Sequence, residues 1–136
     1  SAGGIMNPAD ISKCLSLGAA GVQMGTAFLC CDEAGTGSDY KNYLLNKKNR
    51  KTVYTKGFSG RWAQSIQNEF TILIEGQPIL PFPLQNTLTG KLRKEATRQS
   101  NAEYQSLWAG VGFKQVKNTS VEKLIFKLKT GFKSQK

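Results

Sequence analysis

Two periods of apolar residues alternate in the first thirty positions. Ile11, Cys14 and Leu15 fall at i, i+3 and i+4 of one helical face. Asn7 stands where a cap is needed, Pro8 suits the first helical turn, and Gly18 supplies the stop. On either side lie short strand-like segments, Ser1 to Ile5 and Ala20 to Met24, and Thr26 then opens a new apolar turn with Phe28 and Leu29. The predicted order is strand, helix, strand, helix. Such a unit requires a right-handed crossover and a parallel sheet, with its glycine turns at the carboxyl ends of the strands, where α/β proteins bind ligands.

Beyond residue 37 the pattern becomes mostly helical. Ser38 is the expected cap of a helix carrying Tyr40, Tyr43, Leu44 and Leu45, followed by an exposed charged turn from Lys47 to Lys51. Thr52 to Thr55 is β-branched and aromatic, as in a strand. Trp62, Ile66 and Phe70 recur every four residues, which predicts a helix from Arg61 to Phe70; periodicity leaves Phe70 to Ile74 open between helix and strand. Gly76, Pro78, Pro81 and Pro83 make Glu75 to Pro83 a loop. Leu84, Leu88 and Leu92 mark the next helical face, weakened by Gly90. Capping-box patterns at Ser100/Glu103 and Thr119/Glu122 then announce helices through Tyr104, Leu107 and Trp108 and through Leu124, Ile125 and Leu128, and Lys129 to Lys136 is expected to fray.

The glycines add chemistry to this outline. Ser1-Ala2-Gly3-Gly4-Ile5 and Gly21-Val22-Gln23-Met24-Gly25-Thr26 end two neighbouring strands. Without a Cβ, backbone N–H groups can approach an anion closely, and a helix start adds positive potential. Glycines in βα and αβ loops also occur for purely conformational reasons; on the anion reading, Gly4, Gln23, Met24, Gly25 and Thr26 are the candidate phosphate-binding residues, with Gly3 providing the tight approach.

Composition narrows the classes. Apolar residues make up 39% of the 136 positions, enough for a core, and the longest apolar stretch is broken by Pro81 and Pro83. There is no histidine. Cys14, Cys30 and Cys31 are odd in number and lack zinc-ligand spacing, so reduced, packed thiols in a cytoplasmic compartment are expected and no metal is. Asp10, Asp32, Glu33 and Asp39 sit at helix starts and in loops and offer no paired catalytic carboxylates. The net charge of +10 is lopsided: residues 1–40 hold one lysine against four carboxylates, and residues 41–136 hold eighteen lysines and arginines against five. With no nucleic-acid-binding motif to organise them, these cations read as solvated helix faces, although a free-standing basic binding module is the non-enzymatic alternative.

The strings carry a resemblance. Ala-Gly-Gly-Ile, a helix, and Val-Gln-Met-Gly-Thr resemble the last two strands of FMN-binding (β/α)8 barrels, whose phosphate site follows strands seven and eight. Phe58-Ser59-Gly60-Arg61, Gln67-Asn68-Glu69-Phe70, Pro81-Phe82-Pro83-Leu84-Gln85-Asn86 and Ser106-Leu107-Trp108-Ala109-Gly110 are similar to the C-terminal segment of nitronate monooxygenases, formerly 2-nitropropane dioxygenases. This resemblance implies an α/β fold in which residues 1–37 are the last two βα units of a barrel and residues 38–136 a mostly helical extension. It implies FMN as cofactor, an alkyl nitronate and O2 as substrates, and a companion segment carrying the missing strands and the family's histidine. On this reading the chain is a C-terminal fragment with no catalytic residue of its own. FMN-dependent enoyl-acyl-carrier-protein reductases share the glycine pair and are the enzymatic alternative. In the extension, Arg61 is a candidate for substrate or flavin contact or for anchoring a carboxylate, and Gln85 for ligand contact or for capping its helix.

Overall fold

The computed structural model describes residues 1–46 and 50–133. They fall into two compact units, one formed by residues 1–47 with 110–136 and the other by residues 48–109.

The first unit contains α1 (Pro8–Ser16), α2 (Ser38–Leu45) and α5 (Val121–Lys133), with short 3-10 turns at Thr26–Phe28 and Val111–Gln115. α1 forms as its sequence signals demand. The Asn7 side chain accepts the Asp10 N–H at 3.0 Å, Pro8 opens the helix, and Gly18 follows it at φ +92°. Ala2 and Gln23 then meet in a parallel bridge, in which the Gln23 N–H donates to the Ser1 carbonyl at 2.8 Å. The two segments predicted as strands meet at this one parallel bridge on either side of α1, and neither forms a regular strand. A second parallel bridge links Cys31 to Thr119. Ile5, Met6, Cys30, Cys31, Leu44, Phe113 and Val116 fill the core.

Helix starts shift slightly from their sequence signals. Gly37, not Ser38, occupies the cap of α2. Thr119 is engaged in the bridge, so Ser120 takes the cap of α5: its Oγ accepts the Lys123 N–H, and Glu33 accepts the Val121 N–H at 2.9 Å. A carboxylate at that end also complements the helix dipole. Residues 129–133 are helical rather than frayed, while the expectations for residues 47–49 and 134–136 lie outside the described residues. α5 crosses α1 closely, since a Cβ on Gly131 would stand 2.6 Å from Pro8 Cγ.

The second unit holds β1 (Thr52–Thr55), β2 (Ala63–Ile66), α3 (Glu69–Leu73) and α4 (Leu84–Arg98). β1 and β2 pair antiparallel with Val53 opposite Ser65. This corrects the helix expected from Arg61 to Phe70. The four-residue spacing of Trp62, Ile66 and Phe70 is coincidental: Trp62 stacks on Tyr54 of β1, Ile66 is buried in the sheet, and Phe70 belongs to α3. Asn68 starts that helix, accepting the Thr71 N–H at 3.1 Å while Thr71 Oγ accepts the Asn68 N–H at 2.9 Å. On the other side of β2, Leu107–Ala109 adds ladder bonds, with Ile66 N–H donating to Leu107 O and Ala109 N–H to Gln64 O. The helix predicted through Tyr104, Leu107 and Trp108 is therefore a short 3-10 turn ending at Tyr104 followed by extended chain through Leu107 and Trp108. Ser100 sits at φ 52° at the end of α4, where it finishes one helix instead of opening another, and Asn101 caps a 3-10 turn at Ala102–Tyr104.

α4 forms where expected but faces the other way. Leu84, Leu88 and Leu92 are 57%, 66% and 42% exposed, whereas Gln85, Thr89 and Ala96 are buried. Polar residues win the inward face because backbone carbonyls wait there: Gln85 Nε2 donates to Gly57 O at 2.7 Å and Thr89 Oγ to Phe58 O at 2.6 Å.

Candidate functional site

Three backbone segments of the first unit converge at the end of the parallel pair. Gly3 and Gly4 adopt φ +93° and +71°, a region that L side chains rarely enter. The Gly110 N–H donates to Thr26 Oγ at 2.9 Å, which brings the third segment against the second strand's end. A Cβ on Gly110 would lie 3.3 Å from Gly4 N, so the chain passes Gly4 at backbone contact. Gly112 continues the approach, a Cβ there reaching 3.0 Å from Gly4 O and colliding with Met6. Gly4, Thr26 and Gly110 thus form one cluster.

Gly25 differs from Gly3, Gly4, Gly110 and Gly112 around it. Its φ of −107° is open to any residue, and a Cβ built on it meets no heavy atom within 4 Å. It caps the 3-10 turn Thr26–Phe28, so the first N–H groups of that turn lack carbonyl partners within it. With the Thr26 oxygen accepting from Gly110, the Thr26 hydroxyl proton is left as a donor. Gln23 is fixed by its bridge to Ala2, and Met24 follows half-buried. Backbone donors, one hydroxyl and open space above Gly25 suit an oxyanion such as phosphate.

Sequence reading named Gly4, Gln23, Met24, Gly25 and Thr26 but assigned no role to Gly110 or Gly112. The signal was the Gly110-Val111-Gly112 spacing, whose meaning depends on a contact with Gly4 more than a hundred residues away.

The titratable groups lie elsewhere. Asp10 accepts the Met6 N–H at 2.9 Å, and Glu33 serves the start of α5. Burial, with Glu33 and Asp32 nearby, raises the Cys31 thiol, and burial followed by Cys30 raises the Tyr40 phenol. All three cysteines are free thiols, and among the described residues no group of three or more His, Cys, Asp or Glu side chains is placed to hold a metal ion. No described helix is long and apolar enough to cross a membrane.

In the second unit the strings singled out by sequence knit the backbone together. Phe58 is fully buried, its ring 4.5 Å from Phe70 and edge-on to Trp108 at 5.3 Å. Gly60, at φ +86°, presses on the proline loop, where a Cβ would come within 2.6 Å of Leu80 O and Phe82 N. Gln85 does not cap its helix by an ordinary bond; it is 2% exposed and bridges Gly57 O and the Leu80 N–H, its Oε1 accepting from the latter at 3.2 Å. Arg61 is exposed, its guanidinium 4.0 Å from the centre of the Phe82 ring.

Comparison with known proteins follows the same lines. A family model described as nitronate monooxygenase matches residues 1–131. A probable nitronate monooxygenase of Staphylococcus saprophyticus is 41% identical over 126 residues, covering 91% of this chain and 36% of the relative. One from Bacillus subtilis is 37% identical over 132 residues, covering 93% of this chain and 38% of the relative. Among solved structures, nitroalkane oxidase from Streptomyces ansochromogenes superposes with a TM-score of 0.93 at 33% identity, over 98% of this chain and 38% of that one. FabK from Thermotoga maritima superposes at 0.78 with 24% identity, over 98% and 43% of the two chains, a likeness of fold. The chain belongs to the nitronate monooxygenase family, a family of oxidoreductases, and spans somewhat over a third of the length of these curated relatives.

Proposed function

We propose that this member of the nitronate monooxygenase family forms the phosphate-binding, C-terminal part of an FMN-dependent enzyme that oxidises alkyl nitronates with O2. The observation that carries the reading is the convergence of Gly4, Thr26 and Gly110 beside the open face of Gly25.

In this reading residues 1–37 are the last two βα units of a (β/α)8 barrel and residues 38–136 the extension, with the unit of residues 48–109 set within it. The N–H groups at the start of the Thr26–Phe28 turn and the Thr26 hydroxyl hold the FMN phosphate, Gly4 and Gly25 leave room for it, and Gln23 and Met24 line the same strand end. The chemistry a flavin supplies is removal of an electron from the nitronate and its delivery to O2, ending in a carbonyl compound and nitrite. This chain's part is to anchor and orient, because it contributes no histidine. Proton handling and the remaining strands come from a companion segment. Three free thiols support a cytoplasmic setting. Identities of 37–41% with nitronate monooxygenases, against 24% with FabK, favour this activity over enoyl reduction.

The test is to produce the protein together with the companion segment and to measure bound flavin by absorbance and nitrite release from an alkyl nitronate. Stoichiometric FMN and nitrite release are expected. A folded, flavin-free protein would refute the reading.

A further inference from the structure

Four of the lysines that sequence reading left as solvated charge share one cleft in the first unit. It has a volume of about 460 Å3 and is bounded by the start of α1, the segment 114–119 and α5. Its floor is apolar, with Met6, Ala27 and Leu128 buried. Its walls carry Lys114, Lys117, Lys123 and Lys127, and among the described residues no carboxylate lines it. The Arg98–Glu95 ion pair involves none of the four lysines.

That arrangement is costly if it only faces water. Lys123 and Lys127 stand i, i+4 on α5, a like-charge spacing that destabilises a helix by a few tenths of a kcal/mol (about 0.2–0.5). An anion between them reverses the sign of the interaction. The start of α1 contributes little, because Asp10 already satisfies the Met6 N–H there. Four lysines around one cleft favour a ligand with more than one negative charge, and phosphoesters fit lysine's point-charge donors. The buried floor adds a place for a flat apolar body, and the volume falls in the range of small-molecule sites. Gly4, Gly25 and Thr26 do not line this cleft.

We propose that this cleft is a second anion site, distinct from the glycine cradle, that binds a phosphoester of nucleotide size through Lys114, Lys117, Lys123 and Lys127, with its apolar body on Met6, Ala27 and Leu128. The site needs no flavin, so its test is independent of the cofactor reading.

The full-length protein, with its flavin content measured in parallel, is titrated with ADP and with inorganic pyrophosphate by calorimetry at low and at physiological salt. One ADP per chain is expected, bound more tightly than pyrophosphate because only ADP reaches the floor. The double variant Lys114→Glu/Lys127→Glu should weaken ADP by about tenfold or more while flavin content and melting temperature stay unchanged. Both residues are exposed, so the variant should fold. Four results overturn the proposal: no saturable ADP binding; binding indifferent to the double variant; binding lost in Gly25→Val, which would put ADP in the cradle; and an unsaturable response shared equally by ADP, pyrophosphate and heparin, which would reduce the cleft to surface charge.

Discussion

Replacing Gly25 by valine separates a ligand requirement from a folding requirement. The backbone at φ −107° accepts an L residue, and no protein atom lies within 4 Å of the new Cβ. The protein itself therefore has little to lose; a glycine replaced at a compatible position gains about 0.4–1 kcal/mol from a less flexible unfolded chain. A phosphate held by the neighbouring N–H groups is in the opposite position, because the branched side chain fills the space it would enter. Losing two charge-assisted hydrogen bonds, at about 1.5–3 kcal/mol each, raises the FMN dissociation constant by about 10²- to 10⁴-fold. The assay is flavin absorbance per protein after gel filtration, with circular dichroism melts of the flavin-stripped protein. Expected are near-complete loss of flavin and an apoprotein that melts at or slightly above the unmodified temperature. Gly18→Ala is the mirror-image control: at φ +92° it should cost about 1–2 kcal/mol of stability and leave flavin stoichiometry intact in the folded fraction. Full flavin retention by Gly25→Val would refute the cradle, and a large drop in apoprotein stability would refute the claim that the glycine serves a ligand.

Gln85→Leu should lower the melting temperature sharply, since Gly57 O and the Leu80 N–H lose their shared partner in a buried setting, at about 1–3 kcal/mol each; an unchanged melt would show that the backbone finds other partners. Arg61→Met should cost only about 0.5–1 kcal/mol, the scale of an exposed cation–π contact, with flavin content and turnover unchanged, and a fall in turnover would restore a role in the active site. Tyr40 is held neutral by burial, so its raised pKa contributes stability that is complete below the ordinary phenol value of about 10 and is lost as pH climbs through the folded value; Tyr40→Phe should flatten the alkaline fall in melting temperature. Produced without the companion segment, the chain should aggregate, because residues such as Leu17, Val111 and Phe126 stay exposed and each large apolar side chain left in water forgoes about 1.5–3 kcal/mol. A monomeric, cooperatively melting 136-residue protein would count against the barrel-fragment reading.

The parts of this chain that were legible in its sequence are those decided within a few residues. Asn7, Pro8 and Gly18 define α1 by local capping and backbone preference, and the paired glycine turns follow from the crossover such a helix imposes. Beyond residue 60 the deciding partners are distant. Trp62, Ile66 and Phe70 have the four-residue spacing of a helix, yet β1 and the Leu107 segment offer ladder bonds on both sides of β2, and those bonds override that spacing. Leu84, Leu88 and Leu92 look like a core stripe because hydrophobicity is the usual guide to facing; here the Gly57 and Phe58 carbonyls need donors, and Gln85 and Thr89 turn inward to supply them. The same logic separates the two glycine sets. Gly60 is needed where one loop presses on another, Gly4 where the chain turns left-handed against Gly110, and Gly25 by nothing in the protein itself. Gly21, Gly35 and Gly90 are equally unconstrained, so freedom alone says nothing about a ligand; what sets Gly25 apart is its place beside the cluster of Gly4, Thr26 and Gly110, and Gly25→Val is the substitution that tests whether that place matters.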